Sequence, residues 1–390
     1  MKLSFKIMLV LLVSGSLVKA QKVKVGKAFT AATKQTDLLL SNVEAARKSA
    51  PEKVSPRTVE KGNLKMVASR DWTSGFFPAQ LWYYYEFTKD KKWLALARQY
   101  TEDLKKEQFN RGTHDLGFII YGPFGNGYRL TNDTAYRSVI IQAAKSLSSR
   151  FNPTAGVIKS WDHNTDKWKY PVIIDNMMNL ELLFNATKFS GDSSFYKIAV
   201  SHADVTMKNH FRPDYSSWHV IDYDTNSGKA TQKHTHQGYS HESSWARGQA
   251  WALYGYTMCF RETKNTAYLE QADGIAQFIL THKAIPADGV PYWDYNDPKI
   301  PAAPKDASAA AITASALYEL AKYSKEGKQY KAAADKLLAS LSAKYTNKAG
   351  ANFGFLLAHS TGHLPGNSEI DVPINYADYY YIEALLRSKQ

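Results

Sequence analysis

Apolar residues recur at α-helical spacing along almost the entire chain, and in several places the pattern restarts after a short polar turn. In four of these restarts an aromatic residue is followed four positions later by alanine, which puts both side chains on one helix face. The repeating unit is therefore a helix, a tight polar turn and a second helix, separated from the next unit by long insertions. The four pairs are Trp93 and Ala97, Phe195 and Ala199, Tyr268 and Ala272, and Tyr330 and Ala334.

The number of periodic segments predicts an all-α fold that closes on itself. About twelve helices in antiparallel pairs suggest a toroid with six inner and six outer helices. An open solenoid is the alternative, although it would show more regular repeats and polar end caps. Two segments are expected to be extended or looped and to gather at one end of the toroid, which we call the mouth. They are residues 110–131, rich in glycine and aromatics, and residues 212–243, rich in His, Ser, Asp and Tyr. Helices are predicted over residues 27–49, 74–88, 91–108, 133–149, 175–189, 193–210, 244–263, 266–282, 307–324, 328–345 and 374–388.

The amino terminus has the pattern of an export signal. Lys2 and Lys6 precede the apolar run 7–13, and a small-residue cleavage site ends at Ala20. The apolar run is too short to span a bilayer permanently. We therefore expect residues 1–20 to be a cleaved signal peptide and the protein to be periplasmic or secreted without a membrane anchor; a retained anchor is the alternative.

The remaining chain, residues 21–390, contains no Pro/Ser-rich linker or charge block and is predicted to be one domain. Removing residues 1–20, which hold three lysines and no acid, lowers the formal charge from +13 to +10. This excess suits an anionic ligand such as nucleic acid or an acidic polysaccharide. The lysines are scattered rather than clustered, so nucleic acid is not expected. Cys259 is the only cysteine and lies in an apolar stretch, so we expect no internal disulfide and a buried thiol.

Two aspartates in aromatic and apolar surroundings are the candidate catalytic groups. Asp115 lies in Thr-His-Asp-Leu-Gly-Phe (113–118), and Asp175 lies in Ile-Asp-Asn-Met-Met-Asn (174–179). Asp175 ends an apolar run and opens an amphipathic helix, so desolvation should raise its pKa towards the value that suits a proton donor near neutral pH. Paired carboxyls in unequal environments are typical of glycoside chemistry. The alternative is that Asp175 is only a helix N-cap.

Six further residues together would make a binding site for an acidic sugar. Exposed tryptophans stack on the apolar face of sugars, Arg offers a bidentate fork to a carboxylate, and His and Gln form hydrogen bonds with hydroxyls. Taken singly, each has a structural alternative: a Trp is more often core, and Arg247 could pair with Glu242. The six residues are Trp72, Trp161, His219, Gln237, Arg247 and Trp251.

The histidine-rich stretch 234–242 is dense enough in ligand-type residues for a metal site to be considered. However, a His-x-His sequence in a loop is often solvated, and the chain has no HExxH-type helix. We therefore expect no metal.

The ordered set of motifs resembles unsaturated glucuronyl hydrolases, glycoside hydrolase family 88. The resemblance covers nearly all of residues 65–388, at compatible spacings. The motifs are Trp-Thr-Ser-Gly-Phe (72–76), His-Asp-Leu-Gly-Phe (114–118), Ile-Asp-Asn-Met-Met-Asn (174–179), His-Gln-Gly-Tyr (236–239), Trp-Ala-Arg-Gly-Gln-Ala-Trp (245–251) and Pro-Ile-Asn-Tyr-Ala-Asp-Tyr-Tyr (373–380).

The resemblance implies an (α/α)6 barrel, with Asp175 as general acid/base and Asp115 as the second essential carboxylate. It also implies that no metal or organic cofactor is required. The implied substrate-site residues are Trp72, Trp161, His219, Gln237, Arg247, Trp251 and Trp293.

The implied substrate is an acidic di- or oligosaccharide from a polysaccharide lyase, carrying a C4=C5 double bond in its terminal uronic acid. Hydration of that bond would release the next sugar. The alternatives are an unsaturated rhamnogalacturonyl hydrolase acting on pectin fragments, an (α/α) polysaccharide lyase, and a non-catalytic acidic-glycan binder. The sequence leaves open which glycosaminoglycan is used and whether the protein oligomerises.

A loop near the carboxyl terminus bears on sulfate recognition. Family members that favour sulfated substrates carry serines and a lysine there, whereas the corresponding stretch 366–371 contains Glu369 and Asp371 and no lysine. We expect these two carboxylates to repel a sulfate and so to disfavour substrates sulfated at the position that this loop contacts.

Overall fold

The computed structural model describes residues 23–390, so the predicted signal peptide lies outside the described residues. Twelve α-helices form the framework of this part of the chain. They are α1 (Val25–Ser49), α2 (Phe76–Thr88), α3 (Lys91–Glu102), α4 (Asn126–Thr131), α5 (Thr134–Ser148), α6 (Leu180–Ser190), α7 (Ser193–Asn209), α8 (Ala246–Thr263), α9 (Thr266–Thr281), α10 (Ala307–Leu320), α11 (Gly327–Ser340) and α12 (Asn375–Arg387).

The helices form a closed double ring, an (α/α)6 barrel. Helices α2, α4, α6, α8, α10 and α12 make the inner ring, and α12 packs against α2 to close it. Each inner helix is followed along the chain by an outer one, and α1 takes the remaining outer place beside α12. Every residue of α10 is buried, because an inner helix has neighbours on all sides. The predicted toroid is confirmed, and the open solenoid is wrong.

The outer helices explain the aromatic and alanine pairs seen in the sequence. Trp93 and Ala97 of α3, and likewise Tyr268 and Ala272 of α9, lie on the single buried face of their helix. The remaining two pairs lie on the buried faces of α7 and α11. A small residue beside a large ring lets each outer helix approach the inner one closely, so the repeat predicts the packing face correctly.

Four of the tight turns have the same local conformation and the same type of helix cap. The residue directly after the inner helix adopts a left-handed conformation, and the Asp or Asn that follows accepts a hydrogen bond from a backbone N–H in the first turn of the outer helix. The turn before α11 differs, since Glu326 makes no such cap. The four pairs are Lys89 and Asp90, Asn132 and Asp133, Gly191 and Asp192, and Lys264 and Asn265.

The expectation of a loop over 110–131 is wrong for its second half. Residues Gly117–Gly125 form a π-helical segment that continues into α4 and completes the inner ring. Its glycines allow close packing rather than a chain reversal: a Cβ on Gly117 would lie 2.6 Å from the Cα of Asn179. The neighbouring Gly75 is equally crowded, because its Cβ would lie 2.0 Å from the carbonyl oxygen of Phe118.

The long connections contain short antiparallel strands. Strand β1 (Lys53–Glu60) pairs with β2 (Asn63–Ala68), and β3 (Phe151–Asn152) pairs with β4 (Val157–Ile158). Strands β5 (Pro171–Ile173), β6 (Val220–Tyr223) and β7 (Ala230–His234) form a sheet in that order. All these connections run from an outer helix to the next inner one, so they gather at the amino-terminal ends of the inner helices, as the toroid predicts.

The opposite end of the barrel carries ion pairs within and between inner helices. Arg261 contacts Glu319 at 2.8 Å, and Arg387 contacts Glu319 at 2.9 Å and Glu383 at 3.4 Å. Cys259 of α8 is completely buried, as predicted. In the part of the chain that the structure describes, no helix combines the length and hydrophobicity needed to cross a membrane.

Candidate active site

Asp175 lies at the mouth of the barrel, in the 3-10 turn Ile174–Asn179 that leads into α6. Its carboxyl is buried, and Oδ2 has no hydrogen-bond partner among the described residues. Burial raises the pKa of Asp175 from its ordinary value of 3.8 to about 7; Arg247 opposes this rise and Asp115 adds to it. The turn shows no side-chain cap, so the N-cap interpretation of Asp175 is wrong. Asp175 can therefore hold a transferable proton near neutral pH.

Asp115 lies just before the neighbouring inner segment and has a more polar environment. Thr113 Oγ1 donates a hydrogen bond to Asp115 Oδ2 at 2.9 Å, and His114 Nε2 lies 3.3 Å from Oδ1. The Asp115 side chain is 15% exposed. The two carboxyls therefore have the unequal environments that the sequence predicted.

His219 faces Asp175 as a neutral hydrogen-bond donor. Its Nδ1 accepts the backbone N–H groups of His236 at 3.1 Å and Gln237 at 3.3 Å, so the ring proton must be on Nε2. Nε2 lies 3.7 Å from Asp175 Oδ2. Burial lowers the pKa of His219 well below its ordinary value, with nearby His236 and Arg247 acting in the same direction. The arrangement therefore places an N–H group beside the carboxyl without adding a charge.

Arg247 lies in the first turn of α8, and both of its terminal nitrogens are hydrogen-bonded, whereas its buried Nε has no partner among residues 23–390. It donates to Asp306 at 3.0 Å and to the carbonyl oxygens of Thr361 at 2.6 Å and Gly362. The alternative that Arg247 pairs with Glu242 is wrong, because Asp306 is the partner. Arg247 thus anchors the loop that contains Thr361 and places a positive charge near Asp175. Its contact with a substrate carboxylate stays a prediction.

Trp72 and Trp161 are the partly exposed tryptophans of the mouth. The Trp72 ring lies 5.1 Å from that of Tyr376, and the Trp161 ring meets that of His219 at 5.9 Å, edge to face. Both can therefore offer a ring face to a sugar beside Asp175.

Trp251 and Trp293 are not accessible stacking surfaces, because they are 0% and 1% exposed. Trp251 packs against Phe118 at 5.2 Å and forms the floor beneath the mouth. The indole N–H of Trp293 is hydrogen-bonded to Asp297. The expectation of an exposed sugar platform is therefore wrong for Trp251, whereas the substrate-site role implied for Trp293 stays a prediction.

Gln237 lies in the loop after β7, and its side-chain amide is 3.4 Å from the carbonyl oxygen of Gly362. This contact therefore connects the loop after β7, which donates to His219, with the loop that Arg247 anchors. A direct contact of Gln237 with substrate stays a prediction.

Several buried polar atoms close to Asp175, beyond the residues that the sequence singled out, have no hydrogen-bond partner among residues 23–390. They include His114 Nδ1, Asn176 Oδ1 and Asn179 Nδ2. Imidazole and amide groups of this kind can exchange hydrogen bonds with sugar hydroxyls. The sequence carried a signal for the asparagines: Asn176 and Asn179 are three apart in an otherwise apolar segment and so lie on one face.

Arg150 fixes the relative position of two loops at the mouth and was also missed. Its guanidinium donates to the carbonyl oxygens of Arg111 at 2.6 Å and Lys159 at 2.9 Å, and to the Asp162 carboxylate at 2.7 Å. One loop leads to Asp115 and the other contains Trp161. Arg150 therefore couples a catalytic candidate to a candidate sugar-binding residue.

In the loop 366–371 the two acids differ in their surroundings, and their predicted repulsion of a sulfate stays a prediction. Glu369 is buried and forms two hydrogen bonds with Arg57, at 2.5 and 2.9 Å. Asp371 lies 2.6 Å from His359 Nδ1. Arg57 therefore offsets the charge of Glu369 locally, whereas Asp371 is exposed to solvent.

No group of three or more His, Cys, Asp or Glu residues is arranged to hold a metal ion within residues 23–390. In the histidine-rich stretch, the rings of His234 and His241 instead stack at 4.2 Å.

Comparisons with known proteins agree with this arrangement. The family model Glycosyl Hydrolase Family 88 matches residues 44–383. An unsaturated glucuronyl hydrolase from Formosa agariphila is 48% identical over 375 residues, covering 95% of this chain and 92% of the relative. The crystal structure of an unsaturated glucuronyl hydrolase specific for heparin superposes with a TM-score of 0.88 at 47% identity, covering 93% of this chain and 96% of that one.

A Streptococcus agalactiae unsaturated glucuronyl hydrolase, solved as an aspartate-to-asparagine mutant in complex with dGlcA-GalNAc6S, is also similar. It superposes with a TM-score of 0.80 at 29% identity, and the match covers 95% of this chain and 93% of that one. The helical ring, the carboxyl pair at its mouth and the match over nearly the whole length agree with one another. The chain belongs to Glycosyl Hydrolase Family 88.

Proposed function

We propose that this glycoside hydrolase removes the unsaturated uronic acid from oligosaccharides that polysaccharide lyases release from glycosaminoglycans. The observation that carries the proposal is the Asp175 carboxyl, which is buried, has a pKa of about 7 and keeps Oδ2 without a partner. Similar proteins are unsaturated glucuronyl and unsaturated chondroitin disaccharide hydrolases. Family membership and the carboxyl pair weigh against the pectin-directed and non-catalytic alternatives.

The proposed reaction hydrates the C4=C5 double bond. Asp175 transfers its proton to C4, and positive charge develops at C5. Water adds to C5 and gives its proton to the ionised Asp175, whose charge the neutral N–H of His219 stabilises. The hemiketal at C5 opens, and the hemiacetal left at C1 then releases the next sugar as an alcohol. Because the glycosidic bond is not displaced directly, the carboxyl spacing that separates retaining from inverting enzymes does not apply.

Asp115 has a supporting role in this scheme. Its carboxylate raises the pKa of Asp175 and can accept hydrogen bonds from sugar hydroxyls. Trp72 and Trp161 would hold the ring by stacking. No step needs a metal or an organic cofactor.

Within this substrate class we propose heparin-derived disaccharides as the preferred substrates. The heparin-specific relative is 47% identical to this chain, whereas the relative solved with dGlcA-GalNAc6S is 29% identical. Nucleic acid is not proposed as a partner.

A panel of unsaturated heparin, hyaluronan and chondroitin disaccharides tests the proposal. The conjugated C4=C5 uronate absorbs in the ultraviolet, and hydration removes that absorbance. Loss of absorbance with release of the second sugar is expected, fastest for the heparin type. A gain of absorbance on intact polysaccharide would identify a lyase, and no change with any disaccharide would contradict the hydrolase proposal.

We also propose that the protein is exported after removal of residues 1–20 and works in the periplasm or outside the cell without a membrane anchor. Amino-terminal sequencing of the protein recovered from those fractions should start at Gln21. Recovery only from the cytoplasm with Met1 in place would contradict this.

A further inference from the structure

A cavity of about 650 Å³ lies next to the candidate active site, between loops from three parts of the chain. Its described lining includes Lys167 and four histidines but no aspartate or glutamate. We call it the histidine pocket. The four histidines are His234, His236, His241 and His363.

The histidine pocket shares a wall with the active site through His236. The backbone N–H of His236 donates to His219 Nδ1, and its ring meets that of Trp161 at 5.3 Å, edge to face. On the pocket side, His236 accepts a hydrogen bond from His363 Nε2 at 3.1 Å. A ligand at Asp175 that extends past Trp161 therefore comes directly to the pocket.

Two of the histidines in the pocket each have a ring N–H group that is available to donate a hydrogen bond to a ligand. His234 Nδ1 accepts the indole N–H of Trp168, and His241 Nδ1 accepts the backbone N–H of Thr235, both at 3.1 Å. In each neutral ring the proton must therefore be on Nε2. Neither Nε2 is hydrogen-bonded to another residue in 23–390.

The charges of the residues that line the pocket also favour an anion. Burial lowers the pKa of His236 to about 4 and also lowers those of His234 and His363, so these rings are neutral at neutral pH. Lys167 supplies the positive charge, and its ammonium lies 6.0 Å from the centre of the Trp168 ring. Neutral N–H donors with one cation and no carboxylate match a group that only accepts hydrogen bonds.

We propose that the histidine pocket binds a sulfate group on the sugar that follows the unsaturated uronic acid. This inference rests on the proposed function and extends it to sulfated substrates. The loop 366–371 contributes Gly366 to the lining of the pocket but neither of its two acids, and Glu369 is engaged by Arg57. Sulfate recognition is thereby assigned to Lys167, His234 and His241, on the side of the mouth that carries Trp161.

The test is the double variant Lys167→Ala/His241→Ala, assayed with unsaturated heparin disaccharides that differ only in sulfate on the second sugar. His236 and His363 are left intact because they contact the active site. For at least one sulfated disaccharide, kcat/KM should fall about tenfold, mainly through KM. The unsulfated disaccharide should stay within about twofold of wild type. Lys197→Ala, on the exposed face of α7, is the matched control and should change neither.

The outcomes separate the two proposals. If the wild-type enzyme hydrates no disaccharide, the proposed function fails. If it hydrates both forms but the double variant leaves their ratio unchanged, only the histidine pocket is overturned. Calorimetric binding to the Asp175→Asn variant gives a readout without turnover: the sulfated disaccharide should bind more tightly, and the double variant should abolish that advantage. An advantage that persists would overturn the inference.

Discussion

Asp175 is expected to act as the proton donor because burial keeps its carboxyl protonated near neutral pH. Asp175→Asn preserves the shape of the side chain but cannot supply the proton, so turnover should fall by about 10²–10⁴-fold. The ultraviolet assay on an unsaturated disaccharide measures this loss. Asp192→Asn is the matched control, because Asn also caps a helix and Asp192 is exposed. A variant that retained more than about a tenth of the wild-type rate would remove Asp175 from this role.

The same residue sets the pH dependence of the reaction. The acid must be protonated, so kcat/KM should be retained below the Asp175 pKa of about 7 and fall as the pH rises through it. Lys167→Ala lies outside this step and should show the same basic limb with the unsulfated disaccharide. A rate that stayed constant up to about pH 9 would be inconsistent with an acid of this pKa.

Asp175 also makes stability depend on pH. Its folded-state pKa is raised above 3.8, so the native state gains its full stability below that value and loses part of it as the pH rises to about 7. Asn does not titrate. The free energy of unfolding of Asp175→Asn, taken relative to that of wild type, should therefore increase by about 4 kcal/mol across this pH window. Denaturant unfolding at several pH values measures the difference. A difference independent of pH, or one equally present in Asp192→Asn, would refute this origin.

At the scale of single residues, the sequence predicted the chemical environment of a side chain better than it predicted which residues that side chain contacts. The unequal environments of Asp115 and Asp175 follow from local context and were predicted correctly. The partners of Arg247 were not, because Asp306 and Thr361 lie 59 and 114 residues away along the chain. The burial of Trp251 likewise depends on contacts with Phe118 and Tyr380 that form only when the ring closes.

At the scale of elements, Arg150 connects the loop before Asp115 to the loop that contains Trp161. Arg150→Lys keeps the charge but cannot make all the contacts of the planar guanidinium. We expect kcat/KM to fall by about 10–100-fold, since small displacements of positioned groups carry that cost. Melting temperature and the separate kcat and KM values should be measured on one preparation.

The control for this prediction is Arg137→Lys, on α5, where the arginine contacts the carbonyl oxygen of Phe189 away from the two loops. It should leave kcat and KM unchanged. A positioning role for Arg150 would be disproved if Arg150→Lys lowered only the melting temperature.

The elements themselves were predicted unevenly. Long amphipathic helices such as α7 and α9 were located well, because one buried face gives a clear period. The segment Gly117–Gly125 was assigned to a loop because glycine usually interrupts helices, whereas here the missing side chains allow two inner helices to touch. The turn at Asn132 and Asp133 could have been found, since it has the same two-residue chemistry as Lys89 and Asp90.

For the whole molecule, the ring directs all six inner helices the same way, with their amino-terminal ends at the mouth. Each such end carries a partial positive charge of about half an elementary charge. The resulting potential adds to that of the positive net charge of the chain. Capture of an anionic disaccharide should therefore weaken as salt is raised from about 0.01 to 0.15 M, lowering kcat/KM while kcat stays constant. Steady-state kinetics at several ionic strengths measure this. A salt-independent kcat/KM would show that the field of the ring does not assist capture.

The two ends of the barrel also differ in how freely they can change over evolution. Four of the short turns at the end opposite the mouth depend on a left-handed residue followed by a capping Asp or Asn, so an insertion there would disturb the helix pair on both sides. The connections at the mouth are long and carry most of the residues that would contact a sugar. New specificities can therefore arise by exchanging loops such as 359–371 while the ring is inherited intact, which makes this scaffold well suited to loop grafting.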